Sequence, residues 1–413
     1  MPRSILLVPL LLLTLASFGQ DLDDEPVFLT RTFLELPPSA PQAAMGGMNT
    51  VASDDPLAFY FNPGLLGVYG KRARLGAYLA PNRAELPPFD GREGDYRSVG
   101  LSVGTHLQEA FDSWPVMIGL GYSYGSRRFP DAAQVVDGQD VGTFEPGEVY
   151  NGFGIGVGVD YGIRLGFGFN YKRITSDVVE GTGQGDTRLD QTSISATDMG
   201  LLLVIPTAEL GEILTGRPAQ IGERTTPFLD FSIGWALLNR GDTVTEDGEE
   251  RALPRTARLG FGINAGADYR YRNTTIRPLR FQWQVEAGDI TVERDASGYG
   301  YQGGLGDIGV GGNLLAIKAD EQVSVRKGIN VRLLDMVEWS SGRIDTGTGS
   351  IKSSGWGVQT LGFFKFLKTR NPGNDPIDLL AERFSLRYFQ ATFFADTDAE
   401  TTFHGLSLVL LRG

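Results

Sequence analysis

The chain has 413 residues, a formal net charge of −13 at pH 7, two histidines and no cysteine. The missing cysteines exclude a disulfide scaffold, a lipidated cysteine and thiolate metal ligation, and the acidic balance excludes a nucleic-acid partner, whose phosphates need a basic face. Glycine is abundant at 56 residues, beside 24 phenylalanines and 14 tyrosines.

Taken in order, the first residues read as an export signal. Arg3 supplies a positive charge, Ile5 to Leu15 form an apolar stretch broken by Pro9 and Thr14, and Ser17 and Gly19 are the small residues of a cleavage site. The stretch falls short of the roughly 20 apolar residues of a membrane helix, so residues 1–19 are predicted to be a secretory signal. Residues 20–69 show no strand alternation. Glu35-Leu-Pro-Pro and Ser39-Ala-Pro are turn-rich, and Asp54-Asp55 ahead of Pro56 reads as a turn start. Phe59-Tyr-Phe-Asn-Pro carries too much apolar surface to stay in water, so this segment is expected to be a plug, buried by the residues from 70 onward.

From residue 70 to the end of the chain, apolar and small or polar residues alternate with period two. Leu165, Phe167, Phe169 and Tyr171 oppose Gly166, Gly168, Asn170 and Lys172; Phe281, Trp283 and Val285 oppose Gln282, Gln284 and Glu286. The runs predict strands at 70–80, 94–105, 114–126, 148–159, 162–175, 190–204, 226–239, 256–267, 279–290, 320–333, 335–342, 352–363, 382–394 and 401–412. The fold class is therefore all-β, a transmembrane antiparallel β-barrel of about 14 strands over residues 70–413 with an N-terminal plug segment. An even strand count is expected to leave both termini periplasmic, in the outer membrane of a Gram-negative cell, with outer-membrane lipid around the barrel. The tight connections at Asp160–Tyr161 and Leu334–Asp335 would be periplasmic and the polar segments 127–147, 240–255 and 291–319 external. The insertions 205–225 and 364–381 each hold a short helix, Ala208 to Leu214 and Pro376 to Ala381.

Catalytic motifs are weak. Gly121-Tyr-Ser123-Tyr-Gly125 fits G-x-S-x-G, but no helix follows and only His106 and His404 could serve as a base. Gly304-Leu-Gly306-Asp-Ile-Gly309 fits G-x-G-x-x-G without a βαβ unit, and the alternating Gly152, Gly154, Gly156 and Gly158 mark one strand face. No metal site, cofactor or enzymatic activity is expected.

Three ordered stretches carry a family resemblance. They are Ala44-Met45-Gly46-Gly47 with Ser53-Asp54-Asp55-Pro-Leu-Ala-Phe-Tyr-Phe-Asn62-Pro63-Gly64; Leu165 to Ser176; and Leu229 to Asn239 followed by Leu253-Pro254-Arg255-Thr-Ala-Arg258. Together they resemble the PorV/PorQ family, relatives of FadL-type fourteen-strand barrels, with Gly64 standing where that family usually has Ala. The resemblance implies a type IX secretion component whose outer loops bind or shuttle the sorting domains of secreted cargo proteins alongside other secretion-system components. It implies two motif sets: Met45, Gly46, Gly47, Asp54, Asp55, Asn62, Pro63 and Gly64 in the plug, and Asn239, Pro254, Arg255 and Arg258 on the wall. The alternative is a FadL-like channel for uptake of a hydrophobic ligand, with Phe59, Tyr60 and Phe61 lining an apolar path through the lumen.

Overall fold

The computed structural model describes residues 27–412 except 52, 90–91, 108–114, 137–138, 183–185, 247, 273, 296–297 and 372. The signal expected at residues 1–19 lies outside the described residues. Fourteen strands form the wall: β1 (Ala73–Leu79), β2 (Arg92–His106), β3 (Val116–Arg128), β4 (Gly147–Asp160), β5 (Arg164–Thr182), β6 (Asp186–Pro206) and β7 (Thr225–Gly241), then β8 (Thr256–Tyr271), β9 (Thr274–Ile290), β10 (Val323–Leu333), β11 (Val337–Asp345), β12 (Ser350–Gln359), β13 (Phe384–Ala395) and β14 (Thr401–Leu411). Each pairs antiparallel with the next in sequence. Tyr78 of β1 lies opposite Gly100 of β2 on one side and Ser407 of β14 on the other, so the sheet closes on itself and the wall has no open edge. A short strand, Ala84–Phe89, pairs with the far end of β2 outside the ring.

Alternation sorts the side chains as the sequence predicts. Phe153, Ile155 and Val157 of β4 and Leu165, Phe167 and Phe169 of β5 point outward and are exposed, as are Trp339 and Trp356 further round. Such an apolar outer surface is stable only against lipid. Strands β5 and β6 run 19 and 21 residues, well past the roughly 9–11 needed to span, and their far ends project at one rim. That rim carries the hairpins Ala132–Val136 with Gln139–Phe144, Val244–Glu246 with Glu249–Arg251, and Val292–Asp295 with Gly298–Tyr301. The opposite rim carries the tight turns, including 161–163 and 334–336, and three short helices. The segment after Tyr301 folds back over the outer face, where Ile308 and Leu314 pack against Leu237, Val285 and Val325, and Trp235 donates to the Gly304 carbonyl at 2.8 Å.

Residues 28–70 run through the barrel from one rim to the other. Leu29 bridges Ala252 at the long-loop rim, α1 (Ala40–Ala44) packs on β11 to β14, and α2 (Gly64–Tyr69) lies on β3 to β6 before β1 starts at the short-turn rim. Contact with opposite walls within one short stretch is possible only from inside. The inward glycines explain the glycine excess. A Cβ on Gly168 would lie 2.0 Å from the Pro63 carbonyl oxygen, and one on Gly158 2.2 Å from that of Gly67. At these inward positions the backbone of Pro63 and α2 occupies the space a side chain would take.

Two sequence expectations need correction, and a third lies partly outside the described residues. Strand β12 stops at Gln359, and residues 361–370, read as the end of a strand and a loop, form helix α4 (Leu361–Arg370); α3 (Thr207–Thr215) and α5 (Asp375–Arg383) are one or two residues longer at each end than expected. Leu361-Gly-Phe-Phe continues the apolar alternation, which hid the change of period. The expectation that both termini share one side concerns an N-terminus that lies outside the described residues. Among the described residues Phe28 lies at the long-loop rim, whereas Arg412 hydrogen-bonds Arg72 at the other. An even strand count constrains the two ends of the barrel, not a segment that threads it. Tyr60 and Phe61, expected along an apolar path, are completely buried, and only Phe59 borders a cavity.

Candidate functional site

The lumen holds two polar clusters, one in the upper half where the inner segment is seated and one beneath it. In the upper cluster Arg258 of β8 is 1% exposed, its guanidinium lying 2.8 Å from Glu35, 3.1 Å from Glu286 and 3.1 Å from the Gly47 carbonyl, with the Phe61 ring 4.0 Å away. Glu286 of β9 also accepts from the Asn49 and Thr50 amides at 3.3 and 3.1 Å. One wall arginine thus ties three points of the inner segment. Beside it Lys172 and Asp198, both fully buried, pair at 3.0 Å; Lys172 also donates to Asn239 at 2.9 Å and sits 4.1 Å over the Tyr60 ring. Asn239 has φ +55° and completes the junction by donating to Glu35 and to the Pro254 carbonyl, while its own amide donates to Asp198 at 2.7 Å. Buried ion pairs add little net stability, but losing one partner costs about 3–5 kcal/mol, so such a network enforces one arrangement.

Asn62 does the same lower down. Its Nδ2 donates to the Thr50 carbonyl at 2.6 Å and the Leu201 carbonyl at 2.9 Å, and its Oδ1 accepts from Gly64 N at 2.9 Å. A Cβ on Gly64 would stand 2.9 Å from both that Oδ1 and the Leu201 carbonyl carbon, which leaves no room for a side chain there. Gly46 and Gly47 adopt φ of +75° and +73°, turning the chain after α1, and Met45 lies over the backbone of Gly342.

Asp54 and Asp55 diverge. Asp55 turns back to its own segment, bonding Ser39, Gln42 and the Leu57 amide, as a turn initiator should. Asp54 points to the wall, where Arg72, Arg280 and Arg332 converge on its carboxylate. Arg332 shares Glu338 with Arg387. These groups face a cavity of about 550 Å³ beneath the inner segment, also lined by Phe59, Leu65, Leu66 and Phe228 and bordered by Leu361 and Lys365 of α4.

Of the motif residues named from sequence, Arg258, Asn239, Pro254, Gly47 and Asn62 come together through the inner segment, whereas Arg255 turns away to stack on Tyr301 at the rim. Lys172, Asp198, Glu35, Glu286, Arg280 and Arg332 were missed. For the wall residues the signal was a charge at the parity of the glycines and amides, such as Glu286 after Gln282 and Gln284; Glu35, on the inner segment, had none.

Ser123, of the G-x-S-x-G match, faces inward and is fully buried. Its flanking Gly121 and Gly125 are seats for the Phe59 and Tyr150 rings. His106 lies opposite Met117, six residues down the ladder from Ser123 and thus about 20 Å away. His404 lies on β14, three strands round the ring from Ser123, and is hydrogen-bonded to Tyr388 of β13 at 2.8 Å.

No protein-family model matches the sequence, and no curated protein matches it. Among solved structures the chain is similar to the Pseudomonas putida toluene transporter TodX, at 9% identity over 90% of this chain and 96% of that one, with a TM-score of 0.41. It is similar to the Ralstonia pickettii toluene transporter TbuX at 10% identity over 90% and 97% of the two chains, with a TM-score of 0.38. The translocator domain of the Neisseria meningitidis autotransporter NalP gives 10% identity, 82% and 87% coverage and a TM-score of 0.35. The closed wall of fourteen strands is a property of this chain's own register and does not rest on these likenesses.

Proposed function

We propose that the chain is a FadL-like outer-membrane channel for small molecules with an apolar part, gated by residues 27–69 acting as its plug. The observation that carries the reading is a lumen filled by the chain's own backbone with a cavity of about 550 Å³ directly behind the filling. That volume is in the range of small-molecule sites, and Phe59, Leu65, Leu66 and Phe228 give it an apolar side. The segment is seated by polar junctions at Arg258, Glu286 and Asn239 and by buried apolar side chains such as Phe33, Leu34 and Phe61, so leaving its seat would need a ligand or partner that compensates those contacts. The short-turn rim is placed in the periplasm and the long-loop rim outside, as short turns and long loops are arranged in bacterial barrels.

The separation of Ser123 from both histidines supports a non-catalytic role. The secretion role implied by the PorV/PorQ resemblance rests on that resemblance alone. Parts of the outer loops expected to receive cargo are engaged with the chain itself, Arg31 meeting Glu246 and Tyr299 donating to the Phe28 carbonyl.

The test is entry of the apolar dye N-phenylnaphthylamine, which fluoresces on reaching lipid, into Gram-negative cells making the protein. Faster entry than in vector-only cells is expected. Equal rates despite folded barrel in the outer membrane would overturn the reading.

A further inference from the structure

We infer that Arg72, Arg280 and Arg332 form a carboxylate-binding site for a small organic acid, occupied in the plugged state by the chain's own Asp54. The inference deepens the channel reading and rests on it. Asp54 belongs to the inner segment; the three arginines come from the α2–β1 link, β9 and β10, and belong to the wall. Arg280 grips Asp54 with both terminal nitrogens, Nη2 lying 3.2 Å from Oδ1, and Arg332 Nη1 lies 2.9 Å from Oδ2. Among the described residues Asp54 is the only carboxylate within 4 Å of Arg72 or Arg280. Arg332 has a second partner in Glu338, but shares it with Arg387. Four guanidinium groups therefore depend on two carboxylates, and one of those two sits on the part proposed to move.

The remaining charges around the cavity are committed elsewhere, Lys71 to Asp160 and Arg164 to Glu209 among them. Arg277 makes a two-point pair with Asp268 at 2.7 and 2.9 Å, Lys365 pairs with Asp335 at 2.9 Å, Asp230 accepts from Asn264, and Asp55 bonds within the inner segment. When Asp54 leaves, a cluster with excess positive charge is left beside the cavity. Its geometry fits a planar two-oxygen anion, because it already holds one in a forked grip. The apolar wall of the same cavity takes the rest of the acid. An acid that binds the arginines displaces Asp54 and shifts the segment toward its unseated state, since it binds only there. A neutral molecule of the same shape has no such effect.

The full chain in detergent is titrated with benzoate and with benzyl alcohol. Asp54→Asn is expected to bind benzoate about tenfold tighter or more, the scale of freeing one charge-assisted site, while benzyl alcohol affinity stays within about twofold. Adding Arg280→Gln should cancel the gain. Unchanged benzoate affinity in Asp54→Asn, or an equal gain for benzyl alcohol, overturns the site. Should Asp54→Asn fail to fold, amide exchange of residues 53–58 in the unaltered chain decides: benzoate and not benzyl alcohol should speed it, and no effect of benzoate overturns the site. Dye entry into cells separates the two readings. A failed benzoate response with dye entry intact sinks the carboxylate site alone, whereas absent dye entry sinks the channel.

Discussion

At Gly168 one hydrogen atom decides whether the inner segment fits. Its place on β5 is inward, and the Pro63 carbonyl oxygen and carbon occupy the positions 2.0 and 2.2 Å from where a Cβ would stand. Backbone cannot swing aside as a side chain can, so Gly168→Ala should cost about 1–3 kcal/mol of overpacking, borne by the seat and not by the wall. Amide exchange of residues 62–68 should rise while the barrel's strand signal stays intact; unchanged protection there would show that α2 does not rest on this glycine. The face each residue occupies was legible in the sequence, because parity is a local property. The partner was not: nothing in Leu165-Gly-Phe-Gly-Phe says that its glycines meet Pro63, and nothing near Glu286 says that it holds the Thr50 amide more than two hundred residues away. Glycine does relieve crowding, but the crowding comes from the backbone of the inner segment as well as from the sheet.

Among the elements, α4 shows how a helix can secure a turn. The three-residue connection between β10 and β11 places Leu334 and Asp335 at φ of +54° and +51°, values that normally call for Asn or Gly. Such backbone persists only when its surroundings hold it. Here Gly362 N donates to the Asp335 carbonyl at 2.9 Å and Lys365 pairs with its carboxylate at 2.9 Å. Burial alone would raise the Asp335 carboxyl, but Lys365, Arg332 and Arg277 outweigh it and hold it below the usual carboxylate range. A carboxyl held down when folded lends stability at neutral pH and withdraws it as pH falls through its folded value. Exchange protection of α4 should therefore fall on acidification below the ordinary carboxylate range, and Lys365→Met should remove most of that pH dependence. Protection that is flat with pH in the unaltered chain would refute the role given to this pair. Sequence reading placed the turn to within two residues yet missed α4, since Leu361-Gly-Phe-Phe extends a strand's alternation and the helix is defined by a turn it docks on.

In the whole molecule a membrane-facing wall encloses a segment of the same chain that fills it. The wall follows from period-two patterning, and the strand boundaries expected from it mostly lie within a few residues of the register, with β5 and β6 running further at the long-loop rim. The direction in which residues 28–70 cross the lumen does not, because it depends on contacts such as Leu29 with Ala252 that carry no local signature. The central claim is that passage requires this segment to leave its seat. The chain has no cysteine, so a single engineered pair tests that claim cleanly. A Cβ on Gly262 lies 3.3 Å from the Val51 Cβ, close to disulfide spacing, so Val51→Cys with Gly262→Cys should tether segment to wall. Dye entry into cells making this variant should be low when the pair is oxidised and rise to the level of the unaltered protein after reduction. Equal entry in the oxidised and reduced states, with the tether confirmed by mass, would contradict that claim.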